Sequence, residues 1–151
     1  MYETIRVGRL QVTFLKTAYD MHDKLDLFEA TLAPGGSSLI PHMHVDYDEI
    51  VFGMNGIVKW TIGDRDMPIG RGDKVSIKRG TPHFYMNEES VPARFMMLHT
   101  PGLMGPQYFR DLATCFDQEG TPNLDCVVAV MMRYGATPLM HGQTAATVVH
   151  E

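Results

Sequence analysis

The chain has only two cysteines, one tryptophan and no long uninterrupted apolar run. A membrane-spanning helix needs ~20 consecutive apolar residues, so none is expected. The amino terminus, MYETIRVGRLQ, carries no apolar signal-peptide core, which makes the cytoplasm the expected compartment. Cys115 and Cys126 are too few and too near the C-terminal end for a disulfide framework. In a reducing compartment both are expected as free thiols. A basic run is also missing: thirteen Lys and Arg residues are dispersed among eighteen acidic ones, for a net charge of −5. The densest basic group, Arg71, Lys74, Lys78 and Arg79, is offset by Asp66 and Asp73. It forms no stripe of the kind a phosphate backbone needs. Neither nucleic acid nor a membrane is expected as a partner; a small molecule is.

At 151 residues, 44% of them hydrophobic, the chain suits one globular domain with its own core. Twelve methionines are many for this length. Met96, Met97, Met131 and Met132 lie in apolar runs, where the flexible thioether fills core gaps. A secondary reading gives some of them the lining of an adaptable pocket.

Short strands punctuated by glycine occupy the first hundred residues. Leu10–Lys16 and Leu25–Ala33 show partial period-two alternation with β-branched and aromatic residues. Pro34-Gly35-Gly36 then turns the chain into Ser38–His44. Asn55-Gly56 supplies a left-handed position and predicts a hairpin between Glu49–Phe52 and Ile57–Ile62. Met67–Ile69, Lys74–Lys78 and Ala93–His99 complete the set. Strands at this spacing, with no helices between them, predict an all-β sandwich or barrel. Beyond Pro101-Gly102 the pattern becomes helical: Pro106–Glu119 has an apolar stripe of Tyr108, Phe109, Leu112 and Phe116. Leu124–Tyr134 follows, with Asn123 as N-cap and Gly135 as C-cap. The expected division is a barrel over 1–101, a helical tail packed on it over 102–141, and a flexible end over 142–151.

The chemistry concentrates in PHMHVDYDEIVFGMNG and GTPHFYMN. His42 and His44, two residues apart in an extended segment, project from one face. Glu49 follows the polar bend Val45–Asp48, and a carboxylate turned inward there needs a partner or a proton. Asp46 and Asp48 are its rivals, and the plainer reading makes all three a solvated acidic turn. His83, behind Gly-Thr-Pro, completes the set only if the sheet curls over. Three imidazoles and a carboxylate suit a first-row divalent ion, and the lack of cysteine disfavours a thiolate-rich structural zinc site. Taken one at a time, each histidine is as well explained by a hydrogen bond as by a metal. Tyr85 and Asn87 share the face of His83; Tyr85 either donates a hydrogen bond toward a bound oxygen or fills the barrel. His99 shares a strand face with Phe95 and Met97, as core, pocket wall or outer partner of the site. Trp60 reads as core, and His22, His141 and His150 as solvated.

These residues resemble the two motifs of the cupin superfamily. The first is a glycine, five residues, HxH, three or four residues, Glu, six residues and a glycine, matched from Gly36 through His42, His44 and Glu49 to Gly56. The second is matched by Gly72, Gly80, His83 and Asn87, with Lys78 where the pattern usually has proline. Fifteen residues separate the motifs, as in small microbial members. The tail is similar, more loosely, to small bacterial quercetin-dioxygenase-like cupins. The resemblance implies a jelly-roll barrel with one divalent metal on His42, His44, Glu49 and His83, and commonly a homodimer. It implies iron, nickel, manganese, cobalt or copper as the cofactor, with zinc as an alternative. The first functional expectation is a dioxygenase-like oxidoreductase acting on a small aromatic, enol or diketone compound. There Glu49 serves as ligand or base, and Tyr85 and His99 are catalytic candidates. A metal-dependent isomerase, lyase or polyketide-type cyclase is the second, and a non-catalytic metal or ligand binder the third.

Overall fold

The computed structural model describes residues 2–139. The strands are β1 (Thr4–Val7), β2 (Leu10–Lys16), β3 (Asp26–Leu32), β4 (His42–His44), β5 (Asp48–Asn55), β6 (Val58–Ile62), β7 (Arg65–Ile69), β8 (Lys74–Ile77), β9 (His83–Met86), β10 (Ala93–Thr100) and β11 (Ala136–Pro138). Two helices, α1 (Gly105–Ala113) and α2 (Leu124–Arg133), lie between β10 and β11. The strands form two sheets in the jelly-roll arrangement: six strands in the order β1-β2-β3-β10-β5-β8 and five in the order β11-β4-β9-β6-β7.

Period-two patterning decides which side chains meet between the sheets. Leu10, Val12 and Phe14 of β2 point inward. Phe28, Ala30 and Leu32 of β3 do the same, as do Ala93, Phe95, Met97 and His99 of β10. Trp60 is fully buried, as read from sequence. Met97 and Met131 are buried, whereas Met132 is 65% exposed, so the packing role does not extend to it. Among the described residues no helix is long and apolar enough to cross a membrane.

The expected hairpin at Asn55-Gly56 is not formed. Gly56 does take the left-handed conformation, at φ 69°, but β5 pairs with β10 and β8 while β6 pairs with β7 and β9. The turn is a corner that carries the chain from one sheet to the other. A Cβ at Gly56 would come within 2.8 Å of the Pro92 carbonyl oxygen, so the corner is packed against the chain leading into β10.

The tail departs from expectation in three respects. The first helix ends at Ala113 rather than Glu119. Thr114 Oγ1 donates to the Asp111 carbonyl at 2.6 Å, and Asp117 Oδ1 accepts from the Glu119 and Thr121 amides, which folds the next residues into a turn. That turn brings the Asn123 amide to the Cys115 carbonyl at 2.8 Å and sets the Cys115 and Cys126 Cα atoms 5.5 Å apart, within bridging range. The two cysteines form a disulfide, against the expectation of free thiols; compartment and cysteine count carry no information about this return of the chain. Third, β11 rejoins the five-stranded sheet beside β4. Asn123 caps α2 as expected, its side chain accepting from the Cys126 amide, and Gly135 follows at φ 79°. Residues 142–151, with His150, and His141 lie outside the described residues.

Candidate metal centre

Both sheets contribute to one cluster at the end of the barrel nearest α1. In the five-stranded sheet, His42 of β4 lies opposite His83 of β9 in register, and His44 shares the inward face of β4. The Gly80 amide donates to the His44 carbonyl at 2.6 Å, tying the second motif's turn to β4. In the six-stranded sheet, Glu49 of β5 lies opposite His99 of β10. All five side chains are buried. One nitrogen each of His42, His44 and His83 lie within 4.8 Å of one another, as do ligand atoms of His44, Glu49 and His99. The four expected ligands thus fall into two overlapping triads that share His44, and His99 belongs to the second.

Local hydrogen bonds set the imidazole faces. His42 Nδ1 donates to the Ile40 carbonyl at 2.8 Å and His83 Nδ1 to the Thr81 carbonyl at 2.9 Å. Each therefore keeps its Nε2 lone pair for the interior. His99 Nε2 donates to Glu49 Oε1 at 2.7 Å. His83 Nε2 sits 3.2 Å from Glu49 Oε2, and neither atom has a hydrogen-bond partner. His44 Nε2 is likewise buried and unpartnered. Unshared buried donors and acceptors are costly. These converge in one place, and the donor set of imidazole nitrogen and carboxylate oxygen without thiolate fits a divalent transition ion.

The electrostatics agree. Burial, reinforced by the neighbouring His83, pushes His42 down from 6.5 to about 3. Burial drives His44 well below its usual value, with Glu49 opposing. Burial alone would raise the Glu49 carboxyl, but the imidazoles of His83 and His99 outweigh it and hold the group well below the usual range. At neutral pH His42 and His44 are therefore neutral imidazoles beside the Glu49 carboxylate, the protonation state in which a cation is bound.

The rival carboxylates are excluded. Asp46 is exposed, and Asp48 turns outward to accept from the Arg79 amide at 2.8 Å and its guanidinium at 3.1 Å. Asn87, fully buried, is structural: its amide donates to the Leu32 and Val91 carbonyls and its oxygen accepts from the Glu89 amide, closing the end of β9.

The cluster opens onto a cavity of about 200 Å³ between the barrel and α1. Its walls are largely apolar and include Phe28, Met97, Met104, Tyr108 and Phe109. Tyr85 lines it too, and neither the Tyr85 nor the Tyr108 hydroxyl has a hydrogen-bond partner among the described residues. Burial raises both phenols far above their ordinary value, so they remain protonated donors. Period-two spacing alone places Tyr85 on the face of His83. The sequence shows Tyr108 only as part of a helical stripe, and nothing local distinguishes it from the neighbouring Phe109. Tyr47 lies inside the acidic bend with no period to mark it; its ring stacks on His44 at 4.4 Å between centroids. An isolated aromatic among charged residues was the available signal. His22 is exposed, as expected.

Comparison with known proteins follows the same lines. A family model described as "Cupin domain" matches residues 28–99, the span that holds both motifs and His99. No curated protein matches the chain. Among solved structures, the cupin domain of an XRE family transcriptional regulator from Enterobacter cloacae is 28% identical, with a TM-score of 0.53 over 61% of this chain and 96% of that one. A polyketide cyclase, RemF, from Streptomyces resistomycificus is 20% identical, with a TM-score of 0.56 over 75% of this chain and 91% of that one. A sugar phosphate isomerase of the cupin superfamily from Silicibacter pomeroyi is 22% identical, with a TM-score of 0.55 over 62% of this chain; the match spans only 60% of the isomerase. Reactions as different as these on one scaffold show that the fold does not choose the chemistry. Residues 28–99 thus form one small cupin domain, within a two-sheet jelly roll that carries an inward histidine cluster.

Proposed function

We propose that His42, His44, Glu49 and His83 hold one divalent transition metal and that the protein is a dioxygenase-like oxidoreductase for a small aromatic, enol or diketone compound. The observation that carries this reading is the pairing of an imidazole–carboxylate cluster with a largely apolar cavity that includes five aromatic side chains. Such walls favour a flat apolar body over a sugar. When bound, iron, nickel, manganese, cobalt or copper supplies Lewis-acid activation and redox capacity, whereas zinc supplies only the former. The chain's own residues do the rest. Tyr85 and Tyr108 hydroxyls donate to substrate oxygens, and the apolar walls exclude water. Glu49 serves either as the fourth ligand or as the base that takes the proton of an enol or phenol, and His99, hydrogen-bonded to it, steadies the carboxylate in both roles.

The Glu49–His99 pair also favours a second reading, a metal-dependent isomerase, lyase or polyketide-type cyclase, because such a pair can carry a proton from one substrate atom to another without redox change. One experiment separates the two. Metal content is measured by mass spectrometry on untagged protein purified without added metal, with His42→Ala and His83→Ala in parallel, followed by oxygen uptake. Near-stoichiometric redox metal, lost in both variants and accompanied by oxygen consumption with enol or phenolic compounds, is the expected result. Zinc with no oxygen uptake moves the reading to the Lewis-acid enzymes, and metal content unchanged in both variants overturns the ligand assignment.

A further inference from the structure

The cavity has two chemically distinct ends. At the inner end stand the histidines and Glu49, the only carboxylate that lines it among the described residues. At the outer end is Arg9, the only Lys or Arg lining it among the described residues. Arg9 sits in the turn between β1 and β2, and its Nη1 donates to the Pro34 carbonyl at 2.7 Å. That bond fixes the guanidinium against the segment between β3 and β4, where a Cβ on Gly35 would lie 3.4 Å from the same nitrogen. Among the described residues no carboxylate pairs with Arg9, unlike Arg79, Arg94, Arg110 and Arg133. A guanidinium has five N–H donors, so the bond to Pro34 leaves most of them available.

Two hydroxyls, Ser37 and Ser38, follow in the segment whose Gly35 lies against Arg9. Ser37 Oγ accepts from the Leu39 amide at 3.0 Å and Ser38 Oγ from the Tyr85 amide at 3.2 Å. Both oxygens are thereby anchored, while neither hydroxyl hydrogen has an acceptor among the described residues. Both residues line the cavity. The outer end therefore offers a fixed positive charge and two placed donors, facing an otherwise apolar chamber.

We infer that this lip binds the anionic end of the substrate, so that the substrate is an amphipathic organic anion: an oxygen-bearing head at the histidine cluster, an apolar body along the aromatic walls, and an acid group at Arg9, Ser37 and Ser38. The inference rests on the apolar-cavity reading of the proposed function and adds the acid group to it. A guanidinium clamps carboxylate or phosphate oxygens in a planar fork, and both chemistries satisfy the lip.

The test is binding of three fluorescent probes to the full, metal-containing protein by titration at low and high salt. 6-Hydroxy-2-naphthoate has a phenol and a carboxylate at opposite ends, 2-naphthol lacks the acid, and 6-hydroxy-2-naphthyl phosphate keeps the phenol and carries a phosphate in the acid's place. Wild type is expected to favour an acid probe over 2-naphthol by about tenfold, the size of one charge-assisted hydrogen bond at a partly open site. Arg9→Met should abolish that preference without changing 2-naphthol affinity, and Arg9→Lys should keep part of it. The preference should shrink with salt, because an open charge is screened over ~10 Å at 0.1 M; a purely structural role for Arg9 would not give that signature. Whichever acid shows the Arg9-dependent gain identifies the anion. A preference unchanged in Arg9→Met, or equal losses for acid and 2-naphthol, overturns the inference while leaving the cavity reading intact. Failure of all three probes to bind wild type overturns both.

Discussion

The two sheets hold their inward polar groups in different ways. In the five-stranded sheet His42 and His83 are each fixed by the carbonyl two residues earlier in the chain, Ile40 and Thr81. In the six-stranded sheet Glu49 and His99 are fixed by one another across a strand pair fifty residues apart in sequence. The first device is local to each strand. The second exists only once β5 and β10 are in register. A locally fixed histidine wall thus faces a carboxylate whose position depends on its partner.

Acid should test the histidine wall most severely. In metal-free protein, His42 has a folded pKa depressed from 6.5 to about 3, and His44 is depressed in the same direction. Below the unfolded value the unfolded chain binds more protons than the folded one, so stability is full above about pH 6.5 and lost as pH falls toward 3. The depressed Glu49 carboxyl adds to the loss below its ordinary value of 4.5. Chemical denaturation from pH 7 to pH 4 should show a decline of several kcal/mol; a flat profile would mean that the histidines are solvated. Bound metal should hold the fold to lower pH.

The helical tail that roofs both sheets is joined by a covalent bond, and opening it asks how far the site depends on that roof. Reduction, or Cys115→Ser with Cys126→Ser, releases a short loop of sequence separation 11. It should cost about 2–3 kcal/mol in denaturant midpoint measurements. Metal content should stay unchanged, since no ligand lies in the tail.

His99→Ala removes the partner that distinguishes the second sheet. Metal affinity, measured by chelator competition, should fall about tenfold to hundredfold, the usual effect of losing an outer partner of a ligand. If metal is lost altogether, His99 is itself a ligand and the two triads form one five-residue site.

The smallest effect separates neighbouring carboxylates. Asp48→Asn breaks a solvent-exposed pair with Arg79 and should cost at most about 1 kcal/mol, with metal content intact. Glu49→Gln at the next position should weaken metal binding in the same assay. Equal effects would erase the distinction between the buried and the outward carboxylate.

Much of this site is legible in the chain itself, for a physical reason. Period-two spacing put His42 and His44 on one face, put Tyr85 beside His83, and put His99 in line with Phe95 and Met97. Side-chain alternation is a property of a single strand, so a linear reading captures it. The Asn123 cap and the left-handed Gly56 are local too. What Gly56 does with its conformation is not: a hairpin and a corner between sheets use the same residue, and only the partners of β5 and β6 choose. The choice of Glu49 over Asp46 and Asp48 depended on which side of the bend became interior. The Cys115–Cys126 bond depended on a turn closed by Asp117, and the strand β11 on a pairing edge left open beside β4. Tyr108 reaches the cavity because α1 docks through Asp26, whose Oδ2 accepts from the Gly105 amide at 3.0 Å, a contact between residues far apart in the chain. The sequence by itself determined the strand faces, the caps and the identity of the ligand-type residues, because those follow from nearest-neighbour stereochemistry. Tertiary structure alone decided which of them meet, because meeting requires two sheets to close on one another and a helix to cover the opening.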